Sequence, residues 1–226
     1  MIRLTNLTKS FYTAGRRKVI LDNVNAVFPT GESVALLGRN GAGKSSLMKI
    51  IAGTMNADSG MVSSDGTISW PVGFSGSFHS ELTGAQNIRF IARVYGVETD
   101  ALLEFVAQFA ELGDHFHMPV RTYSSGMKSR LAFGLSMGVD FDTYLVDEST
   151  AVGDAAFRAK SKQYFLDRLG RSSAIVVSHG IKTLRDICTS GAVLENGKLV
   201  YYDKVEDAIA HHQYNMNSTE DEEDEV

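Results

Sequence analysis

The stretch LLGRNGAGKSSL, positions 36–47, places three glycines and a lysine directly behind an apolar run. Its central residues, Gly38 to Ser45, match G-x-x-x-x-G-K-[ST], the pattern of a loop that cradles phosphate groups. Glycine lets backbone N–H groups approach a ligand that a side chain would keep away. Residues 32–37 are typical of a buried strand and 44–52 of a helix, which is the context that the pattern requires. The stretch therefore predicts a nucleotide-binding loop.

The geometry of such a loop favours a polyphosphate. Successive N–H groups converge on one concavity, and the positive end of the following helix faces the same point. We expect Lys44 to reach the β- and γ-phosphates, and the Ser45 hydroxyl to hold a Mg²⁺ that bridges them. The residues expected to contact the nucleotide form one run: Gly38, Arg39, Asn40, Gly41, Ala42, Gly43, Lys44, Ser45 and Ser46.

Composition limits the class of protein. The 226 residues are 43% hydrophobic and 22% charged, which suits an α/β domain with or without a subdomain. No run of about 18 apolar residues occurs, and the N-terminus lacks the apolar centre of a signal peptide, so we expect neither a membrane span nor export. The single cysteine, Cys188, fits a reducing cytoplasm, and a small buried residue is its simplest interpretation.

The charge is concentrated at the C-terminal end. The segment 220–225 carries six acids, and without them the formal charge of −5 becomes +1. A nearly neutral body argues against nucleic acid as a partner. We expect residues 216–226 to be a disordered, solubilising tail, with a binding role as the alternative.

The pattern of apolar residues predicts an α/β fold. Strands are predicted at 2–7, 18–28, 32–37, 67–72, 142–147, 173–178, 191–195 and 198–202. Helices are predicted at 44–53, 84–96, 99–112, 124–138, 154–169, 180–188 and 204–213. We therefore expect one nucleotide-binding domain over 1–215, with a P-loop core, a short antiparallel β subdomain near the N-terminus and an inserted helical subdomain at about 75–140.

Two carboxylates follow the apolar run at 143–146. Acids at the tip of a strand next to a phosphate loop are suited to metal binding and water activation. We expect Asp147 to hold the Mg²⁺ through water and Glu148 to polarise the attacking water. Ordinary helix caps are the alternative interpretation of this pair.

Two further features could contact an anion. In YSSGMKSRLAFGLSM, positions 123–137, Ser124 is an apt N-cap and Gly126 leaves backbone N–H groups uncovered, although a plain N-cap would explain the same residues. His179 follows the apolar run at 175–178, where it could contact a γ-phosphate or have a purely structural role.

Together these stretches resemble the nucleotide-binding subunit of an ABC transporter, over nearly the whole chain apart from the tail. GRNGAGKS resembles the Walker A motif, YSSGM stands where the family has its LSGGQ signature, and TYLVDE is similar to Walker B with its catalytic glutamate. AVGD at 151–154 occupies the D-loop, and His179 corresponds to the switch histidine. The resemblance implies Lys44, Glu148 and His179 as catalytic residues.

The resemblance also implies the remaining nucleotide contacts. Phe11 corresponds to the aromatic residue that stacks on adenine, with Tyr12 as the close alternative. The signature and D-loop residues implied at the site are Ser124, Ser125, Gly126 and Asp154. The implied sheet is the RecA-like sheet of ABC ATPases.

The family's architecture implies partners. The signature of one subunit closes over the ATP held by Walker A of the other, so the resemblance implies a head-to-tail homodimer. It further implies two copies of an integral membrane permease, placing the chain peripherally on the cytoplasmic face of the bacterial inner membrane. Within 70–96, Phe74, Phe78 and Leu82 are candidates for the permease contact, with core packing as the alternative. Periplasmic and outer-membrane export components are partners that the resemblance leaves open.

Departures from the family pattern point to a narrower group. No glutamine stands at the Q-loop, where Gly73, Phe74 and Ser75 fall. The phrases ISWPVGFSGSFHSELTG, TYSSGMKSRLAFGLSM and DESTAVGDAAF resemble ATPase subunits of bacterial capsular-polysaccharide exporters of the polysialic-acid type. This implies export of capsular polysaccharide. The alternatives are an O-antigen or teichoic-acid exporter, or a soluble P-loop enzyme, which would leave YSSGM and His179 without a role.

Overall fold

Two compact units make up the chain. The computed structural model describes residues 1–13, 15–73, 76, 78–147, 154–178 and 180–223. The first unit comprises Met1–Ser69, Asp142–Glu148 and Arg171–Val226, and the second comprises Trp70–Phe141 and Ser149–Gly170.

The strands, in chain order, are β1 (Ile2–Thr13), β2 (Arg16–Phe28), β3 (Ser33–Leu37), β4 (Ser59–Ser64), β5 (Ile68–Pro71), β6 (Thr143–Val146), β7 (Ser173–Val176), β8 (Ser190–Glu195) and β9 (Lys198–Tyr202). The helices are α1 (Lys44–Ile51), α2 (Gly84–Tyr95), α3 (Thr99–Ala110), α4 (Ser125–Gly138), α5 (Ala155–Leu169), α6 (Ile181–Ile187) and α7 (Val205–Glu223). Short 3-10 turns occupy Gly113–His117 and Val120–Thr122.

The first unit contains two sheets. One has the order β2-β1-β4 and is antiparallel, and the other has the order β5-β6-β7-β3-β8-β9. In the larger sheet β6, β7, β3 and β8 are parallel, whereas β9 is antiparallel to β8. The apolar sequences of β3, β6 and β7 are buried, as strands covered on both faces require. The predicted α/β core with a separate antiparallel sheet is therefore confirmed.

The second unit is helical and is packed by aromatic rings. A cluster on α3, α4 and α5 has ring centroids 5.0 to 6.1 Å apart. Its members are Phe105, Phe109, Phe133, Phe157 and Tyr164. Because α5 belongs to this unit, the helical unit takes in more than the stretch at about 75–140 that the sequence indicated.

Three of the described strands and helices differ from their predictions by more than two residues. β4 was not predicted, and β1 runs to Thr13 because it pairs with β2 along its whole length. α7 runs to Glu223, ten residues beyond the predicted end at 213, so the structure differs from the predicted disorder over 216–223. Glu206 and Asp207 in its first turn favour the helix, and Asn215 ties it to β8 by donating to the carboxylate of Glu195. Residues 224–226 lie outside the described residues.

Candidate nucleotide-binding site

The loop between β3 and α1 has a conformation that only glycine adopts without strain. Gly38 has φ 148° and Gly43 has φ 111°. A Cβ on Gly38 would lie 2.2 Å from the carbonyl oxygen of Leu194, and one on Gly43 would lie 3.0 Å from the Cβ of Ile20. The two glycines therefore allow the loop to pass close to β8 and β2.

The start of α1 presents backbone donors to solvent. Gly43 is the N-cap and no side chain caps the helix, so the first-turn N–H groups are available to an anion. Lys44 Nζ donates to the carbonyl oxygens of Gly38, at 2.6 Å, and Arg39, at 3.1 Å. Its ammonium group therefore lies over the loop, where the sequence predicts the phosphates.

A hydroxyl and a carboxylate meet at the predicted metal position. Ser45, in the first turn of α1, donates from Oγ to Oδ2 of Asp147 at 3.4 Å. Asp147 follows β6, and α1 follows β3, two parallel strands of one sheet, so the topology brings their carboxyl ends to the same edge. Among the described residues, no group of three or more His, Cys, Asp or Glu side chains could hold a metal.

A cavity of about 520 Å³ connects these groups with the antiparallel sheet. It is lined by Phe11, Lys18, Ile20, Asn40, Gly41, Gly43, Lys44, Ser45, Ser46, Asp147 and Val177. Phe11 is 38% exposed, whereas Tyr12 is 77% exposed and is not among the described residues that line the cavity. Arg39 and Ala42 line a smaller neighbouring cavity of about 210 Å³. The geometry therefore favours Phe11 over Tyr12 as the ring next to a bound base.

The signature stretch has the predicted cap. Ser124 is the N-cap of α4, and its hydroxyl accepts a hydrogen bond from the N–H of Met127 at 3.2 Å. Ser125 is the first residue of α4, and a Cβ on the exposed Gly126 would meet only the Ser124 hydroxyl, at 3.9 Å. The N-cap is confirmed, and the contact with an anion stays a prediction.

The D-loop aspartate caps the next helix. Asp154 is the N-cap of α5, and its carboxylate accepts from the N–H of Phe157 at 2.9 Å and from Arg130 at 2.6 Å. The hydrogen bond from the Phe157 N–H and the positive charge of Arg130 lower the pKa of Asp154 below its usual value.

Several predicted residues lie outside the described residues. They are Glu148 and His179, the D-loop residues 151–153, and Phe74 and Ser75 of the Q-loop region. The roles assigned to Glu148 and His179 stay predictions.

Sequence reasoning missed two features. Lys18 lines the cavity and begins the strand predicted at 18–28, but Phe11 lies beyond the strand predicted at 2–7, so no sequence signal placed the two residues opposite each other. On α2, Phe90 and Val94 are 61% and 60% exposed, while Phe78 and Leu82 are half-buried. The helical period could have identified the exposed apolar face formed by Phe90 and Val94, because Ile88 and Ala92 occupy the opposite, buried side of α2.

This fold, with a phosphate loop ahead of α1 and a carboxylate after β6, defines an ABC-type ATPase. The ABC transporter family model matches residues 21–151, more than half of the chain, and the chain belongs to this family. The resemblance stated from the motifs is thereby confirmed.

Curated relatives match over most of their length. The chain is 48% identical over 212 residues to the polysialic acid transport ATP-binding protein KpsT of Escherichia coli, covering 92% of this chain and 95% of that protein. It is 42% identical to the ATP-binding protein BexA of Haemophilus influenzae, covering 94% and 98%. It is 38% identical to an O-antigen export system ATP-binding protein of Klebsiella pneumoniae, covering 82% and 77%.

Solved structures share the fold. An ATP-binding subunit of an ABC transporter superposes with a TM-score of 0.76 at 22% identity, covering 92% of this chain and 91% of that one. An ATP-binding cassette solved as a dimer with ADP and Pi gives a TM-score of 0.73 at 22% identity, covering 91% and 99%. Within the described part of the chain, no helix combines the length and the apolarity that crossing a bilayer requires.

Proposed function

We propose that this chain is the ATP-hydrolysing subunit of an ABC transporter that exports capsular polysaccharide across the bacterial inner membrane. The observation that carries this proposal is the sequence identity to two relatives over more than nine-tenths of the chain. The identity is 48% to the polysialic acid transport ATP-binding protein and 42% to the ATP-binding protein BexA. A capsule polysaccharide export ATP-binding protein of Neisseria meningitidis, 39% identical, supports the same substrate class.

The loop and the cavity support the proposed chemistry. Lys44 would release the carbonyls of Gly38 and Arg39 to bind the β- and γ-phosphates. The attraction between its ammonium group and the phosphates would be stronger there than in bulk water, because the group is partly buried. Ser45 and Asp147 would hold Mg²⁺, since a hydroxyl and a carboxylate are hard oxygen donors and phosphate oxygens and water complete the usual shell. When bound, Mg²⁺ neutralises charge on the phosphates.

The remaining catalytic roles come from the sequence. Glu148 would orient the attacking water and accept its proton, and His179 would contact the γ-phosphate. Glu148→Gln keeps the shape and hydrogen-bonding capacity of the side chain but removes the base. This variant should retain ATP affinity and lose turnover by about 10²-fold or more. Turnover close to that of the unaltered chain would exclude Glu148 as the base.

The predicted anion contact at the start of α4 is the basis for a shared active site. A γ-phosphate held by Lys44 of one subunit would meet the start of α4, at Ser124 to Gly126, of another subunit. The working form would then be a head-to-tail homodimer that ATP closes and hydrolysis reopens.

An apolar surface on the helical unit supports a membrane partner. Phe90 and Val94 lie one turn apart on α2 and are both largely exposed, although most apolar residues of this unit are buried. We assign this face, in place of the half-buried Phe78 and Leu82, to contact with the permease. The chain would then lie peripherally on the cytoplasmic face of the inner membrane, beneath two permease copies.

The substrate is tested by isolating the complex. The tagged chain is purified from detergent-solubilised membranes together with any permease that it retains, and the bound glycan is identified by mass spectrometry. A capsular polysaccharide supports the proposal. An O-antigen or a teichoic acid would overturn the substrate assignment, and failure to retain any permease would favour a soluble P-loop ATPase.

A further inference from the structure

We propose that Lys18, on β2, is a second phosphate-binding cation of the nucleotide site and contacts the α-phosphate. This assignment rests on the nucleotide-binding role of the cavity described above. Lys18 belongs to no sequence motif of the site and comes from the antiparallel sheet, whereas Lys44 comes from the phosphate loop.

The strand pairing directs Lys18 toward the cavity. Phe11 and Lys18 are direct partners across the antiparallel pair β1 and β2. Side chains of directly opposite residues emerge on the same face of a sheet, with their Cβ atoms about 4.5–5.5 Å apart. Since Phe11 lines the cavity, Lys18 lies on that face too, and both are among its lining residues.

The Lys18 side chain reaches the phosphate loop. A Cβ on Gly41 would lie 3.5 Å from Lys18 Nζ, so the ammonium group is in contact range of the loop backbone. Its stem starts beside the predicted base-stacking ring and its charged end reaches the loop that holds the outer phosphates. A nucleotide bound between these two points would have its α-phosphate next to Lys18.

The charge of Lys18 is available to a ligand. No ion pair or hydrogen bond engages its ammonium group among the residues that the structure describes. Two acidic side chains lie nearby: Asp147 lines the larger cavity beside Ser45, and Glu195, which lines the smaller cavity together with Lys18, accepts a hydrogen bond from Asn215. A bound phosphate would supply a negatively charged partner for the Lys18 ammonium group. A hydrogen bond between these two charged groups is stronger than one between neutral groups.

This placement separates the effects of the two lysines. A contact to the α-phosphate acts on ATP, ADP and AMP alike, whereas Lys44 acts on the outer phosphates. Lys18 would therefore strengthen nucleotide binding without discriminating between ATP and ADP.

The test compares charge-removing variants of neighbouring residues. Lys18→Met keeps the aliphatic stem, Lys18→Arg keeps the charge, and Arg17→Met removes one charge from the adjacent position, which faces the opposite side of β2. Affinities for ATP, ADP and adenosine are measured by calorimetry at two salt concentrations, with the melting temperature of each free chain as a check on folding.

We expect Lys18→Met to weaken ATP and ADP binding by about 10-fold each, to leave adenosine binding unchanged and to reduce the salt dependence of the ATP affinity. Lys18→Arg should retain most of the affinity, and Arg17→Met should match the unaltered chain. Equal ATP affinity in Lys18→Met and the unaltered chain, or an equal loss in Arg17→Met, would overturn the assignment. Failure of the unaltered chain to bind ATP would instead overturn the proposed function.

Discussion

The Arg130 guanidinium donates to the carboxylate of Asp154 at 2.6 Å while lying 4.6 Å from the centre of the Phe157 ring. One cation on the signature helix α4 thus engages both the N-cap of α5 and a buried ring one turn further along. The same carboxylate accepts from the Phe157 N–H, so three contacts among Arg130, Asp154 and Phe157 hold the start of α5. Arg130 therefore links the signature helix α4 to the D-loop aspartate, Asp154, within the second unit.

This coupling predicts that Arg130 matters for stability. Arg130→Met removes the ion pair with Asp154 and the cation–π contact with Phe157. We expect the melting temperature to fall by about 2–4 °C, the shift that a loss of about 1 kcal/mol causes in a chain of this length. Arg158→Met on the exposed side of α5 is the control and should leave the melting temperature unchanged. Equal melting temperatures for the two variants would contradict a stabilising role.

Asp58 predicts a dependence of stability on pH. Hydrogen bonds from Lys9, at 2.9 Å, and from Ser10, at 2.7 Å, lower the pKa of Asp58 from 3.8 to about 2. A lowered pKa means that the folded chain favours the carboxylate, so the contribution is present above pH 3.8 and is lost as the pH falls toward 2. Asp58→Asn should show a smaller decline in its denaturation midpoint over this range than the unaltered chain.

A matched variant separates this effect from general acid unfolding. Asp114→Asn changes an exposed aspartate whose side chain makes no hydrogen bond or ion pair within the described part of the chain. It should follow the pH profile of the unaltered chain. If Asp58→Asn follows that profile as well, the hydrogen bonds to Asp58 do not contribute to acid stability.

The conformation of the phosphate loop predicts that stability and ATP binding depend strongly on Gly38. Gly38→Ala would place a methyl group 2.2 Å from the Leu194 carbonyl oxygen at φ 148°, so we expect backbone strain of about 1–3 kcal/mol, an added clash and loss of ATP binding. Gly53→Ala is the control, because Gly53 also has a positive φ, 71°, but its Cβ would meet nothing within 4 Å. Denaturant midpoints and ATP titrations that are equal for both variants would contradict the role of the close approach to β8.

The sequence predicted those features whose physical cause is local to the residues that form them. Gly38 and Gly43 were predictable because the loop needs their conformations, and Ser124 because it caps α4. β4 was not predictable, since its sequence SGMVSS is polar and mostly exposed and the strand forms through backbone pairing with β1. The position of Lys18 depends likewise on the pairing of β1 with β2, which the sequence indicated only as an antiparallel group of strands.

The acidic end of α7 predicts tolerance to truncation. Ending the chain at Asn217 removes the six acids but keeps Asn215, which donates to Glu195. Since the removed segment has little apolar surface to bury, we expect ATPase activity and melting temperature to stay unchanged. Loss of permease binding in the truncated chain would show that the tail is a docking element.

The proposed shared site makes a sharper prediction about pairs of mutations. Lys44→Ala inactivates the phosphate loop, and Ser124→Arg blocks the signature, because a bulky cation fills the slot meant for the γ-phosphate. If each ATP lies between the loop of one subunit and the signature of the other, a dimer of the two single mutants has one site with both lesions and one intact site. A dimer of the double mutant with the unaltered chain has one lesion in each site.

The two dimers carry the same mutations and should differ in activity. Differently tagged chains are purified as heterodimers on their permease, and ATP hydrolysis is measured for each pairing. Because Ser124 also caps α4, the melting temperature of the Ser124→Arg chain is compared with that of Ser124→Ala, which removes the cap without adding bulk. The dimer of single mutants should keep about half of the ATPase activity of the unaltered dimer if the two sites act independently, and less if they are coupled. The dimer with the double mutant should lose nearly all of it. Equal activity in the two pairings would mean that each subunit builds its site alone, and YSSGM would then have no part in a neighbouring subunit's ATP site.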